Sequence, residues 1–483
     1  MIFFIMLLTY SLLLVNIFGI MYILFKNNMN HDSIRIVGLN TSLVVFFISV
    51  LMWIFFDRST PWIQFGINNS SIGFLGVDGI SLFFIILTAL LTPLCILTSW
   101  KSEFYEVKEY VIYLLLIEFF LFLAFLATDL VIFFIFFEST LIPMFILIGV
   151  WGSRERKIKA AFYLFIYTLF GSILLLFAIM IVYLEVGNTS FLILTFNTIS
   201  FEKQLVLWIF SYIAFSVKTP TFPFHIWLPE AHVEAPTSGS VILAGLLLKL
   251  GGYGFLKFLL PVFSEATYYY LPLVYTLSCL SILYASLATL RQLDLKRIIA
   301  YSSIAHMNLG VLGIFSCNIQ GIQGSIFLMI AHGIVSSAMF FMVGVLYDKY
   351  HTRLLDYFGG LVQVMPLFSI YLLIFCLANV GLPGTCNFIG ELLVFFGVLD
   401  INFFVLFIAL IGTVISVLYT IFFYNRLVFG NAKIKYISVW QEMTKREHAI
   451  VFPLAILTFI FGIFPNFILD TTLGSVIFLV ECL

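Results

Sequence analysis

Runs of about twenty apolar residues recur from one end of this chain to the other, beginning with MIFFIMLLTYSLLLVNIFGIMYILF. At a rise of about 1.5 Å per residue, such a run coiled as a helix spans the roughly 30 Å hydrocarbon core of a bilayer. Charged residues make up only 10% of the 483, against about 25% in an ordinary soluble domain. Mean hydropathy is +1.15. The expected fold is an all-α polytopic membrane protein of about fourteen transmembrane helices rather than a globular domain on an anchor. The net charge of −1 gives no reason to expect a nucleic-acid partner.

The fourteen apolar cores fall near 2–25, 36–56, 79–99, 110–127, 130–150, 160–185, 204–225, 239–260, 270–289, 297–316, 324–347, 366–396, 402–425 and 448–469. Loops after odd-numbered spans hold most of the Lys and Arg, among them Lys26, Lys108, Arg154, Lys296, Arg353 and Arg426. Loops after even-numbered spans offer little beyond Arg58 and Lys203. The positive-inside rule then places both termini on the outer side. One odd loop, LPEAHVEAPTSGS after span seven, carries neither Lys nor Arg and stands apart chemically. No positive charge precedes Lys26, so the first run reads as a transmembrane helix and not as a cleavable signal. Phe is abundant, at 58 residues, a bias that T-rich coding such as a mitochondrial genome's leaves behind. The six cysteines form no CxxC pair and read as small apolar residues, against an iron–sulfur cluster or structural zinc.

Two spans are interrupted. Span seven reads FSVKTPTFPFHIWLPEA, with Pro220 and Pro223 just after Lys218; span twelve reads ANVGLPGTCNFIGELLVF, with Pro383 ahead of Glu391. Proline removes a backbone donor and clashes with the preceding turn, so both helices are expected to kink or unwind. The breaks lie five spans apart, and an odd number inverts the second copy. Broken helices at matching places of inverted repeats are the sequence pointer to a transporter's ion path.

Within these spans Glu138, Lys218, Lys249 and Glu391 are flanked by long apolar runs. A charge at that depth costs roughly 2.5–3.5 kcal/mol on insertion scales, which makes each a functional candidate. Lys218, beside a break, is the natural partner for Glu138, and a pair that opens and closes is a proton switch, because a buried ammonium stripped of its counter-ion sheds its proton. The plain alternative for Glu138 is a neutral carboxyl bonded to Ser139 or a backbone carbonyl. Lys249 sits too deep to snorkel, whereas snorkelling accounts for Lys257 near its span's end. His306 and His332 have small or hydroxylated neighbours (Ser302, Ser303, Asn308, Ser336, Ser337), a lining suited to a proton relay. No repeat of facing histidines suggests haem. Glu391 belongs at the exit end of such a relay, or else caps the restarting half-helix. Glu118 resembles Glu138 in setting and is an auxiliary candidate. Asp129, His225, Glu230, His232 and Glu234 read as capping and interface groups.

The string KTPTFPFHIWLPEAHVEAPTSGSVILAGLLLKLGGYG resembles the signature region of the proton-conducting, antiporter-like membrane subunits of respiratory complex I, which is shared with Mrp-type cation/proton antiporters. FFESTLIPMFILIGVWGSRERKIKAA, RQLDLKRIIAYSSIAHMN and NVGLPGTCNFIGE resemble the chain-4 branch of that family, and the likeness runs from about residue 75 to the end. The resemblance implies fourteen helices, with helices four to eight and nine to thirteen as inverted repeats. In this sequence that divides the chain into 1–105 (helices one to three), 106–260 and 261–426 (the two repeats), and 427–483 (a loop and helix fourteen). It implies a Glu138–Lys218 ion pair, Lys249 as the central lysine, His306 and His332 along a polar axis, and Glu391 as the terminal proton donor or acceptor. Glutamate at this last position is the chain-4 habit, where chains 2 and 5 tend to use lysine. It further implies a proton-translocating subunit with no cofactor of its own: NADH, FMN, iron–sulfur clusters and ubiquinone would be bound by other subunits. Partners would be the neighbouring antiporter-like chains 2 and 5, accessory subunits and membrane lipids, in the mitochondrial inner membrane, with a bacterial plasma membrane as the alternative. The alternative is an Mrp-type cation/proton antiporter subunit.

Overall fold

A computed structural model describes residues 2–26, 30–66, 75–101, 106–197, 199–433, 436–437 and 440–483. The described residues form helices joined by short turns, with isolated β-bridges such as Gln64 to Val77 and no named strand. Eleven of the helices are long and apolar enough to cross a bilayer. They begin with Ile2–Phe25, His31–Ile54, Gly79–Thr98 and Val107–Leu126, and continue through Leu130–Trp151, Lys157–Val186, Thr237–Val262 and Ser264–Leu290. Ile319–Tyr350, Phe403–Val428 and Lys445–Ile463 complete them. Helices that are shorter or less apolar stand between and after these: Phe201–Lys218, Trp227–Glu234, Leu295–Ile314, Pro366–Val380, Cys386–Leu399 and Asn466–Glu481.

Burial sorts these helices into a centre and a rim. The apolar windows of Thr237–Val262 and Ile319–Tyr350 are 100% buried, while those of Lys157–Val186 and Phe403–Val428 are only 39% buried. The rim helices turn Phe170, Phe177, Leu184, Phe403 and Phe407 outward. That is the surface lipid tails solvate at no cost. Ile319–Tyr350 packs against Gly79–Thr98, Leu295–Ile314, Cys386–Leu399, Lys445–Ile463 and Asn466–Glu481 and so forms the hub.

Local chemistry sets the helix ends and bends. At the Thr128-Asp129 corner, the Asp129 carboxylate caps the next helix by accepting from the Val131 and Ile132 amides at 2.9 and 3.4 Å. Pro143 leaves the Ser139 carbonyl without its helical donor, and the helix loosens at Thr140, one turn ahead of the proline. Thr444 and Glu447 form a capping box for Lys445–Ile463.

Several expectations change here. Lys257 does not snorkel: it is 4% exposed and bonded to the Asp78 carboxylate, itself the cap of Gly79–Thr98. Lys296 and Arg353, expected in loops between spans, are 1% and 0% exposed, and Lys296 lies in the first turn of Leu295–Ile314. Arg154 and Arg156 do lie exposed. The region 427–483 holds two helices, not one, because Pro465 starts a second segment, Asn466–Glu481, whose Ser475 hydroxyl accepts from the Gly79 amide at 3.0 Å. That segment absorbs the terminal SVIFLVECL. All six cysteines are free, and Cys317 lies in a turn at φ 53° rather than in a helix.

Breaking a buried ion pair by removing one partner costs about 3–5 kcal/mol, whereas replacing both with neutral groups costs far less. Asp78→Asn alone is therefore expected to lower the midpoint of thermal disassembly of the membrane complex markedly. Asp78→Asn combined with Lys257→Met is expected to restore most of that loss, read in the same melting experiment.

Candidate functional site

The two fully buried central helices meet where neither has a side chain. A Cβ on Gly333 would stand 2.6 Å from Leu87 Cδ2 and 3.2 Å from the Gly245 carbonyl oxygen. A side chain there would press on Leu87 and crowd the Gly245 carbonyl, and the close approach sets Lys249 on one helix against His332 on the other. Leu243–Leu247 and Phe255–Leu259 are π-helical turns on either side of Lys249. Such turns loosen the backbone ladder, and the Lys249 ammonium donates to the Ala244 carbonyl inside the first of them. Lys249 is 0% exposed, and its Nζ lies 2.9 Å from His332 Nδ1.

From His332 the series continues. The His332 and His306 ring centroids are 5.8 Å apart at an interplanar angle of 41°. His306 Nδ1 then lies 3.2 Å from Glu391 Oε1, with both residues buried. Four of the residues expected to act together thus form one buried line, Lys249–His332–His306–Glu391, contributed by four different helices. Glu391 faces the irregular stretch between Pro366–Val380 and Cys386–Leu399. There Gly381 adopts φ +79°, and a Cβ on it would come within 2.7 Å of Glu391 Oε2. Along the line, His306 Nε2, Asn308 Oδ1, Ser336 Oγ and Asn387 Nδ2 are buried polar atoms with no hydrogen-bond partner.

Glu138 and Lys218 are neighbours but not a closed pair. Lys218 is 3% exposed, donates to the Phe137 carbonyl at 3.4 Å and sits 4.3 Å from the centroid of the Phe137 ring. Glu138 Oε1 has no hydrogen-bond partner. The ion pair implied by the family resemblance is therefore open here: the backbone carbonyl and ring face of Phe137, the residue preceding Glu138, hold the ammonium instead. Ser139 does not bond Glu138; its hydroxyl donates to the Ile135 carbonyl at 2.7 Å. The irregular backbone after Lys218 is answered by side chains from elsewhere. Asn308 Nδ2 donates to the Pro220 carbonyl at 3.1 Å, Trp227 Nε1 to the Val217 carbonyl at 2.9 Å, and the Phe222 amide to Ser281 Oγ at 2.8 Å. Glu118 lies apart from this arrangement, bonded to Asn16 and Thr92.

Sequence reasoning missed a second buried polar group next to the axis. His232 is 0% exposed, stacks on Phe340 at 4.7 Å, and leaves both ring nitrogens without a hydrogen-bond partner. Beside it Lys296 donates to the Ala235 carbonyl at 2.7 Å and to Ser240 Oγ at 3.2 Å. Arg353 donates to the Val233 carbonyl and lies 3.7 Å from Asp294 and 4.0 Å from Glu234. One signal was present: this is the odd loop that lacks Lys and Arg. Its cations arrive from the start of the helix Leu295–Ile314 and from the loop after Ile319–Tyr350, a long-range pairing that one-dimensional charge patterning does not reveal. Glu230 keeps an interface role, paired with Arg297 at 2.7 Å. Among the described residues no group of three or more His, Cys, Asp or Glu side chains is placed to hold a metal ion.

A hub of buried helices carrying a lysine–histidine–carboxylate series through its interior defines a class, the antiporter-like membrane proteins. Residues 127–416, more than half of the chain, match the family described as NADH:quinone oxidoreductase/Mrp antiporter, TM. The chain is 50% identical over 477 residues to NADH-ubiquinone oxidoreductase chain 4 of Marchantia polymorpha, covering 98% of this chain and 96% of the relative. The protein of that name from Arabidopsis thaliana is likewise 50% identical, with the same coverage. A chain in the structure of respiratory complex I from Thermus thermophilus with bound NADH superposes at a TM-score of 0.87, with 25% identity, over 98% of this chain and 99% of that one. The chain belongs to the NADH-ubiquinone oxidoreductase chain 4 family, the multi-pass membrane subunits of respiratory complex I.

Overfilling a tight contact costs typically 1–3 kcal/mol, and more where backbone must move. Gly333→Val is expected to push the Gly245 backbone away, part Lys249 from His332 and lower proton pumping per NADH oxidised. Gly344→Ala, on the same helix but away from the crossing, is expected to reduce stability without that specific loss. Proton uptake by inside-out vesicles, measured against NADH oxidation, separates the two.

Proposed function

We propose that this chain translocates protons across the mitochondrial inner membrane along Lys249, His332, His306 and Glu391, driven by NADH oxidation and ubiquinone reduction in other subunits of complex I. The observation that carries this reading is the line of four buried ionisable side chains, with 2.9 and 3.2 Å contacts at its two ends and two histidine rings 5.8 Å apart between them. Lys249 can give a proton only to a group with a free lone pair, and His332 Nδ1 offers one when that ring carries its hydrogen on Nε2. His306, with Nδ1 beside Glu391 and Nε2 unbonded, suits a ring that takes a proton on one side and releases it on the other. The unpartnered Asn308, Ser336 and Asn387 atoms are groups to which water binds, and water is the natural carrier across the wider step between the two rings.

Glu138 and Lys218 form the control element in this reading. With the pair open, the Lys218 ammonium is held by neutral groups alone; closing it on Glu138 would secure the charge and change the field felt at Lys249 on the adjoining helix. A neighbouring antiporter-like subunit, chain 2 or chain 5, is the proposed source of the signal that opens and closes it. Helices four to eight and nine to thirteen are proposed to be inverted repeats within residues 106–260 and 261–426, with fourteen crossings and both termini on the intermembrane-space side. The irregular stretches after Lys218 and before Glu391 support that division, since each lies beside an axis carboxylate or lysine. The chain is proposed to carry no redox centre, leaving FMN, iron–sulfur clusters and ubiquinone to its partners.

General acid–base groups contribute about 10²–10⁴-fold to proton transfer. Lys249→Met and Glu391→Gln, in complex shown to be fully assembled, are each expected to lower NADH-driven proton uptake by about that range, with quinone reduction falling alongside. Glu138→Gln is expected to lower both together, as befits a control element. Pumping at the wild-type level in all three variants would dismantle the axis. Sodium-driven proton flux in vesicles without NADH would instead favour a cation/proton antiporter.

A further inference from the structure

Glu118 stands outside the charged axis and has no cation to answer it. Its side chain is 0% exposed, in the middle of Val107–Leu126. Oε1 accepts from the Thr92 hydroxyl at 2.8 Å and Oε2 from the Asn16 amide at 3.2 Å. No Lys or Arg among the described residues is ion-paired with it. Of the ionisable groups on the helices packed against Val107–Leu126, Arg35 is paired with Asp32, Glu138 adjoins Lys218, and Cys95 faces Glu118 from Gly79–Thr98. None of these groups is ion-paired with Glu118.

An ionised carboxylate in this place would be an unpaired charge at bilayer depth, and two neutral donors do not offset its desolvation. A protonated carboxyl needs something different: one acceptor for its own O–H. That acceptor stands beside it. Asn16 Oδ1, the other half of the amide already bonded to Oε2, is buried with no partner of its own. The amide that donates to one carboxyl oxygen thus carries the lone pairs that a carboxylic O–H requires, and an acid and an amide are complementary in this way. The three side chains come from three helices: Asn16 from Ile2–Phe25, Thr92 from Gly79–Thr98, and Glu118 itself. Between lipid-facing helices apolar burial gives little drive to associate, so buried hydrogen bonds and close packing do that work.

We infer that Glu118 is a permanently protonated carboxylic acid that clasps the first helix to the third and fourth through Asn16 and Thr92, and that it takes no part in proton transfer. It is a positioning residue, and its geometry stands whether or not the Lys249–Glu391 axis does. The inference also explains why a glutamate occupies the site. Protonated, it accepts from the Thr92 hydroxyl and the Asn16 amide nitrogen and has an O–H to donate to the Asn16 oxygen, and it reaches across to both neighbouring helices.

The test uses the assembled complex carrying Glu118→Gln, Glu118→Ala or Asn16→Leu. Gln keeps a donor and an acceptor at the same reach, so Glu118→Gln is expected to assemble and pump within about twofold of wild type, the scale of one hydrogen bond. Glu118→Ala and Asn16→Leu are expected to reduce the yield of assembled complex several-fold while the complex that does form keeps its protons pumped per NADH. The wild-type minus Glu118→Gln infrared difference spectrum is expected to show the carbonyl stretch of a protonated acid, unchanged across the neutral pH range. Loss of pumping in assembled Glu118→Gln, a carboxylate band in that spectrum, or wild-type assembly of Glu118→Ala would each overturn the inference. Failure of Lys249→Met to affect pumping would bear on the axis alone.

Discussion

The interior of a bilayer contains no water to bond a stray polar group, so every buried donor, acceptor and charge must be answered by the protein. That constraint accounts for where each part of this molecule lies. Helices that show one apolar face outward form the rim, and the two that carry the axis residues Lys249 and His332 are withdrawn to the centre. Where the backbone leaves the helix after Lys218, its freed carbonyls and amides are met by Asn308, Trp227 and Ser281. Conformational freedom at the Gly245–Gly333 crossing is given up so that two charged helices approach closely enough for their side chains to touch.

Charges inside the membrane are handled in three distinct ways, and the differences carry meaning. Asp78 and Lys257 form a closed pair that also completes a helix cap, an arrangement that anchors. Glu118 is surrounded by neutral hydrogen-bond partners and holds helices together without a charge. The residues of the axis are left partly unsatisfied: Glu138 Oε1, Glu391 Oε1 and His306 Nε2 have no hydrogen-bond partner, although each lies beside an ionisable neighbour. Fully bonded groups resist change, because rearranging them strands a partner in low dielectric. Groups short of a partner can exchange one arrangement for another, and proton movement requires that freedom.

Much of the site was legible before any fold was known. Glu138, Lys218, Lys249 and Glu391 stand out because ionisable residues amid apolar runs are costly, and the two histidines stand out by their hydroxylated neighbours. Misreadings cluster where one-dimensional position stands in for depth. Lys257 lies near a span's end and Lys296 and Arg353 fall between the expected spans, yet all three are buried, because other segments fold over them and supply Asp78, Ala235 and Asp294 as partners. His232, read from its place at a span's end as a capping or interface group, is fully buried for the same reason.

The amino-acid sequence by itself determined the membrane-spanning helical class, the rough position of the long apolar helices, where proline interrupts them and the identity of the ionisable residues among them. These are local properties: hydropathy over one helix length, proline geometry, and the cost of a charge in hydrocarbon. Only the tertiary structure decided which charges meet. His332 joins Lys249 across 83 positions of sequence and Glu118 joins Asn16 across 102, while Glu138 and Lys218 come close without touching. Those outcomes depend on helix rotation, crossing distance and local unwinding of a few ångströms, and no such displacement leaves a periodic trace along the chain.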